Sequence, residues 1–169
     1  GVKHMTDRNE AMKALTQALE MERRGRQFYT QASQETFNEK GRTMFASLAD
    51  EEEKHVAMVE RQMRAIQEEG QYETLPDIEA PDVDLDKELF PPAREARKAE
   101  LGEDPNVLDA LHFALDLEMR LHTVYTNAAK ETEDEAGRTM YMWLADAEMT
   151  HFDLLMANYE SQVDMGGWV

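Results

Sequence analysis

Glu52-Glu53-Lys54-His55 has a counterpart in Glu148-Met149-Thr150-His151. Each is a Glu-x-x-His pair, and on a helix residues three apart share a face. A carboxylate and an imidazole therefore project the same way, about one turn apart. A single pair of this kind often arises by chance on a helix surface. Two in matching surroundings need another explanation. Gly41-Arg42-Thr43-Met44 returns as Gly137-Arg138-Thr139-Met140, and Leu48-Ala49-Asp50 as Leu144-Ala145-Asp146, each 96 positions on. The same offset carries Glu22 to Glu118, Tyr29 to Tyr125, Glu52 to Glu148 and His55 to His151. The chain reads as two copies of one helix hairpin.

Apolar periodicity supports the hairpins. Asp7 and Glu10 have the spacing of a capping box and are expected to open the first helix. Its stripe is Met12, Leu15, Leu19, Glu22, Tyr29 and Ala32. Glu22 stands there where a leucine would be expected. Asn38 is placed to cap a second helix, whose stripe is Met44, Phe45, Leu48, Glu52, His55, Val59, Met63 and Ile66, with Gly70 as its stop. Residues 71–104, with Pro76, Pro81, Pro91 and Pro92, read as a long crossover, with a possible short helix over Pro92–Ala99. Asp104-Pro105 opens a third helix with the stripe Leu108, Leu111, Leu115, Glu118, Leu121 or His122, and Tyr125. After a turn near Glu133 to Glu135, the fourth carries Met140, Tyr141, Leu144, Glu148, His151, Leu155 and Tyr159. The expected fold is an all-α four-helix bundle: hairpin 1 over about 7–70, the crossover over 71–104, and hairpin 2 over about 105–165. Residues 6–165 form the expected domain, 1–5 read as an expression scar, and 166–169 as a tail in which Trp168 is expected to be disordered.

Four such helices bring Glu22, Glu52, Glu118 and Glu148 together at mid-bundle with His55 and His151. Buried carboxylates cost several kcal/mol each when unpaired, and neighbouring ones repel. Two divalent cations would balance four carboxylates, and two neutral imidazoles would complete the coordination. Mixed carboxylate and imidazole donors suit iron or manganese, and zinc can also bind. Six protein ligands for two metals leave positions open to water, peroxide or dioxygen. Tyr29 and Tyr125, two turns past Glu22 and Glu118, are placed to hydrogen-bond a ligand carboxylate across the bundle.

Composition narrows the classes. The formal net charge is −18, which disfavours nucleic acid and anionic membranes as partners. There is no cysteine, so no disulfide, thiolate nucleophile or iron–sulfur site lies within these residues. No apolar run approaches membrane-spanning length. A cytoplasmic location is expected.

Over Glu20–Tyr29, Leu48–His55, Leu117–Tyr125 and Leu144–His151 the chain resembles the rubrerythrin branch of the ferritin-like diiron carboxylate proteins. The resemblance implies metal ligands at Glu22, Glu52, His55, Glu118, Glu148 and His151. Glu20 is the alternative to Glu22, but the repeat pairs it with Asp116, off the stripe. Rubrerythrins proper carry a rubredoxin-like domain whose four cysteines hold an electron-transferring iron. None of those cysteines is present here, so an external electron donor is implied. Leu121 stands where rubrerythrins have a further glutamate that exchanges with a histidine on redox change, and Gly25 is its repeat partner. His122 is a further candidate ligand at the site's edge.

Three functions follow as expectations. The leading one is a diiron oxidoreductase reducing hydrogen peroxide or dioxygen, with the four glutamates, Tyr29 and Tyr125 as its catalytic groups. The second is a ferroxidase that oxidises Fe(II) for storage or delivery. The third is a structural module with a vestigial site. A homodimer is the expected assembly.

Overall fold

In the computed structural model, residues 2–81, 105–165 and 167–169 are described. Four helices make up the described fold: α1 (Val2–Glu35), α2 (Glu39–Glu69), α3 (Pro105–Glu131) and α4 (Glu135–Met165). There is no strand among the described residues. The architecture is the all-α, ferritin-like four-helix bundle expected from the stripes. The short helix expected over Pro92–Ala99 lies outside the described residues.

Helix starts and stops follow from local chemistry. Asn38 caps α2, its side chain accepting from the backbone N–H groups of Lys40 and Gly41 at 2.9 and 3.3 Å. Asp134, 96 positions on, caps α4 by accepting from Gly137 N–H at 3.1 Å. Gly70 ends α2 with φ at 75°, where a side chain would be strained, and its N–H closes on the Ile66 carbonyl. One boundary differs from expectation. Helix α1 runs back to Val2 rather than opening at Asp7. No proline or glycine lies between Val2 and Asp7 to stop it, so a capping-box pattern inside a helical run does not mark an end.

Adjacent helices of each hairpin pack along their length, and α1 also packs on α3. The apolar core falls into two clusters. One holds Leu15, Leu19, Val59, Ile66, Leu121 and Leu144, the other Phe45, Leu48, Leu111, Leu115, Phe152 and Leu155. On every helix the inward glutamate falls between residues of the two clusters. The bundle therefore carries a polar layer between two apolar plugs, which keep water from it.

The repeat extends beyond the helices. Tyr72, after α2, lies on Gly137, where an added Cβ would stand 2.7 Å from its ring. Trp168, after α4, lies on Gly41 at the same 2.7 Å. Gln62 holds the Glu73 backbone by two hydrogen bonds of 2.9 Å. Its counterpart Asn158 accepts from the Val169 N–H at 2.8 Å. Each hairpin so clasps the other by its trailing aromatic residue. The expectation that Trp168 is disordered is thereby corrected: its ring packs edge-on to Phe45.

Candidate metal centre

All six side chains singled out from the stripes meet in the polar layer. Glu22, Glu52, His55, Glu118 and Glu148 are fully buried, and His151 is nearly so. Their atoms form two overlapping groups, Glu22–Glu52–His55–Glu148 and Glu52–Glu118–Glu148–His151. Within each group the candidate ligand atoms lie within 4.8 Å of one another. Glu52 and Glu148 belong to both groups. The neighbouring acids lie outside the cluster. Glu20 points to solvent, Glu53 pairs with Arg26, and Glu51 pairs with Lys54.

The imidazoles cross between hairpins. His55 Nδ1 lies 3.0 Å from Glu148 Oε1, and His151 Nδ1 lies 3.0 Å from Glu52 Oε1. The rings stack 5.6 Å apart with 16° between their planes. The phenols cross as well. Tyr29 donates to Glu118 Oε1 at 2.6 Å, and Tyr125 donates to Glu22 Oε1. Both tyrosines thus stand where the spacing puts them.

The electrostatics are those of a site short of positive charge. Burial, then the charges of Glu148, Glu22 and Glu118, pushes Glu52 well above the usual carboxylate range. Burial and the charges of Glu22 and Glu118 do the same to Glu148. Burial also raises Glu22, but the close approach of Glu52, His55 and Glu148 and the charge of His55 outweigh it and lower it to about 2. Burial lowers both histidines, yet the surrounding carboxylates win and raise them. Burial and the neighbouring carboxylates push Tyr29 and Tyr125 up, so both phenols keep their protons and donate.

Polar atoms without a hydrogen-bond partner test whether a metal fits. Glu22 Oε2, both Glu52 oxygens, Glu118 Oε2, Glu148 Oε2 and His151 Nδ1 are buried and, though His151 Nδ1 stands 3.0 Å from Glu52 Oε1, none of them makes a hydrogen bond of good geometry. Such atoms are rare in folded proteins and ask for an unseen partner. Here they converge, are oxygen and nitrogen donors, and carry excess negative charge. Those are the requirements of divalent metals such as iron or manganese.

The rubrerythrin family model matches residues 13–159 of the chain. The chain belongs to the rubrerythrin family. The match spans both hairpins and every residue of the cluster, and family and cluster together point to binding of a metal such as iron. No curated protein matches the chain, and no solved structure does. No helix among the described residues is long and apolar enough to cross a membrane.

Other residues of this rubrerythrin-family chain complete the picture. His122 is buried, but its Nδ1 lies 3.0 Å from the Ala145 carbonyl, and it is in neither ligand group. Leu121 is fully buried core. Its repeat counterpart is Gly25, where an added Cβ would make ordinary contact with Glu52 Oε2 at 3.5 Å and a tighter one with Leu117 at 3.3 Å. Trp143 packs edge-on to His55 at 5.9 Å. The stripes alone do not reveal this contact, because Trp143 lies two residues from the stripe position Tyr141. Tyr72 and its bond to Tyr141 also escape the helical pattern. The repeat offset, which carries Tyr72 to Trp168, singles out the aromatic residue that follows each hairpin.

Proposed function

We propose that the chain is a diiron oxidoreductase that reduces hydrogen peroxide or dioxygen. The observation that carries the reading is the convergence of six buried donors whose free atoms face one another. Glu22, Glu52, His55, Glu118, Glu148 and His151 would hold two irons. A bound iron pair supplies the two electrons that cleave an O–O bond. The protein's own groups do the rest. Four carboxylates favour the more highly charged metal state. The apolar clusters exclude bulk water and so strengthen each charge interaction. Tyr29 and Tyr125 hold protons at Glu118 Oε1 and Glu22 Oε1, two of the carboxylates that would hold the irons. Electrons return from an external donor.

The test is to load the protein with Fe(II) and follow its oxidation by stopped flow. Peroxide should oxidise it much faster than air-saturated buffer does. Equal rates would remove the case for peroxide as substrate. One observation favours ferroxidase activity as a second reading: the net charge of −18 draws Fe(II) toward the protein. Continued oxygen consumption under excess Fe(II), with iron accumulating beyond two per chain or passing to a chelator, would select it.

A further inference from the structure

Both tyrosines that touch the site begin a column of aromatic rings, and the columns run through equivalent positions of the repeat. The first is Tyr29, Phe45, Trp168, with successive ring centroids 6.2 and 5.8 Å apart. The second is Tyr125, Tyr141, Tyr72, at 6.2 and 5.7 Å. Packing alone needs no hydroxyl at the middle position, as Phe45 demonstrates. Its counterpart Tyr141 carries one, is almost wholly buried, and meets the hydroxyl of Tyr72 at 2.8 Å. The second column is therefore redox-active at every member, while the first is interrupted by a ring that ordinary biological oxidants do not oxidise. At its inner end Tyr125 donates its proton to Glu22 Oε1. A phenol with a carboxylate in place to take its proton loses an electron more readily than an isolated one. At its outer end Tyr72 follows the end of α2 and keeps 8 % of its surface exposed.

We propose that Tyr125, Tyr141 and Tyr72 are a one-electron conduit between the carboxylate–histidine site and the surface, entered at Tyr72 by a small one-electron donor of the hydroquinone or ascorbate type. The proposal rests on the oxidoreductase reading above. In the inner step Tyr125 gives one electron to the oxidised site and its phenolic proton to Glu22 Oε1. An electron from the donor then crosses Tyr72 and Tyr141 to refill Tyr125, and the proton returns from Glu22. As Tyr141 gives up its electron its proton shifts along the 2.8 Å hydrogen bond to the Tyr72 hydroxyl, which releases its own proton to solvent, and the protons move back when the donor's electron arrives. In net terms the donor loses one electron, the site gains one, and no phenol is changed.

The experiment compares wild type with Tyr141→Phe, Tyr72→Phe and Trp168→Phe, the last altering the interrupted column. Iron content and melting temperature are measured on each. The Fe(II)-loaded proteins are oxidised with one equivalent of peroxide, and reduction of the oxidised site by hydroquinone is followed by stopped flow. Tyr141→Phe and Tyr72→Phe should slow the reduction severalfold at unchanged iron content, while Trp168→Phe leaves it alone. Wild-type rates in both tyrosine variants would overturn the conduit. So would a freeze-quench radical signal of tryptophan type that Tyr141→Phe retains, since Trp143 beside His55 would then be the route. A second arm needs no iron. In the metal-free chain, surface oxidation by photoexcited ruthenium tris-bipyridine with a quencher should give a tyrosyl radical that outlives the one in Tyr141→Phe, because it is sheltered at buried Tyr125. Equal lifetimes would overturn the conduit even if the wild type binds no iron. Failure to bind iron with unequal lifetimes would instead sink the oxidoreductase reading and leave the conduit standing.

Discussion

Replacing Glu52 by glutamine should move stability in opposite directions with and without metal. Glu52 is fully buried, belongs to both ligand groups, and is pushed up by burial and by three neighbouring carboxylates. A group whose folded pKa lies above its unfolded value contributes fully below the unfolded value and loses that contribution as pH rises. For Glu52 the unfolded value is near 4.5. However far burial pushes it, the loss at about pH 7 is capped at about 3 kcal/mol, the cost of protonating an ordinary carboxyl at that pH. Glutamine has nearly the same shape and no charge, and its amide can donate to Glu118 or Glu148. Metal-free Glu52→Gln should therefore be more stable than metal-free wild type by up to about 3 kcal/mol at about pH 7. At 2–4 °C per kcal/mol for a chain of this size, that is roughly 6–12 °C in melting temperature. At about pH 5 the same reasoning leaves under about 1 kcal/mol. With iron or manganese present the order should reverse, because the variant lacks a shared ligand. Thermal melts by circular dichroism, with chelator and with metal at both pH values, read all four numbers. A metal-free variant that melts at or below the wild type at about pH 7 would refute the account of the cluster as electrostatically frustrated without its ions.

Other consequences follow from the same geometry. Glu148→Ala removes a carboxylate from both groups and should lower bound iron below two per chain, as read by mass spectrometry of metal content. Metal should raise the wild-type melting temperature, by roughly 5–11 °C at a hundredfold excess over its dissociation constant. That increment should grow between about pH 6 and about pH 8. The raised histidines and the raised Glu52 and Glu148 stabilise the metal-free chain at lower pH and cease to as pH rises, while metal displaces their protons. Gly137→Ala would set a Cβ 2.7 Å from the Tyr72 ring. Overpacking of about 1–3 kcal/mol, less up to about 1 kcal/mol of helix propensity, should lower the melting temperature by a few degrees, where an open helical site would gain.

Much of the site was legible because its signal is a violation. A glutamate inside an apolar stripe contradicts the helix's own amphipathic logic, and Glu22, Glu52, Glu118 and Glu148 do so at one repeat offset. That pattern survives without knowledge of packing. The caps at Asn38 and Gly70 were legible for a similar reason, since each serves a local hydrogen-bond need. What escaped was non-local. Nothing in the helical period shows that Trp168 returns to Gly41, or that Tyr72 meets Tyr141, because both contacts are made by chain that has left the helix. The start of α1 was misread because a capping-box spacing is permissive: it stabilises an end without forcing one.

The two ligand groups are chemically alike. Each has three carboxylates and one imidazole, and two carboxylates are common to both. Duplication of a hairpin accounts for that sameness. Any difference in behaviour between the two groups must then come from residues that break the repeat. Three of those residues matter at the site. Gly25 presents no side chain next to Glu52, where its repeat counterpart Leu121 is fully buried core. Trp143 walls His55, while the equivalent Ser47 is exposed. Tyr141 extends the phenol column from Glu22, where Phe45 ends it on the side of Glu118. Two of the three departures, Trp143 and Tyr141, fall on the Glu22–Glu52–His55–Glu148 side. On that side a carboxylate ligand is bonded to a phenol with redox-active neighbours, and an imidazole ligand is backed by an indole. On the diiron reading proposed above, a metal held by Glu22, Glu52, His55 and Glu148 would be the one with oxidisable side chains beside its ligands, and one held by Glu52, Glu118, Glu148 and His151 would lie in a more inert surround.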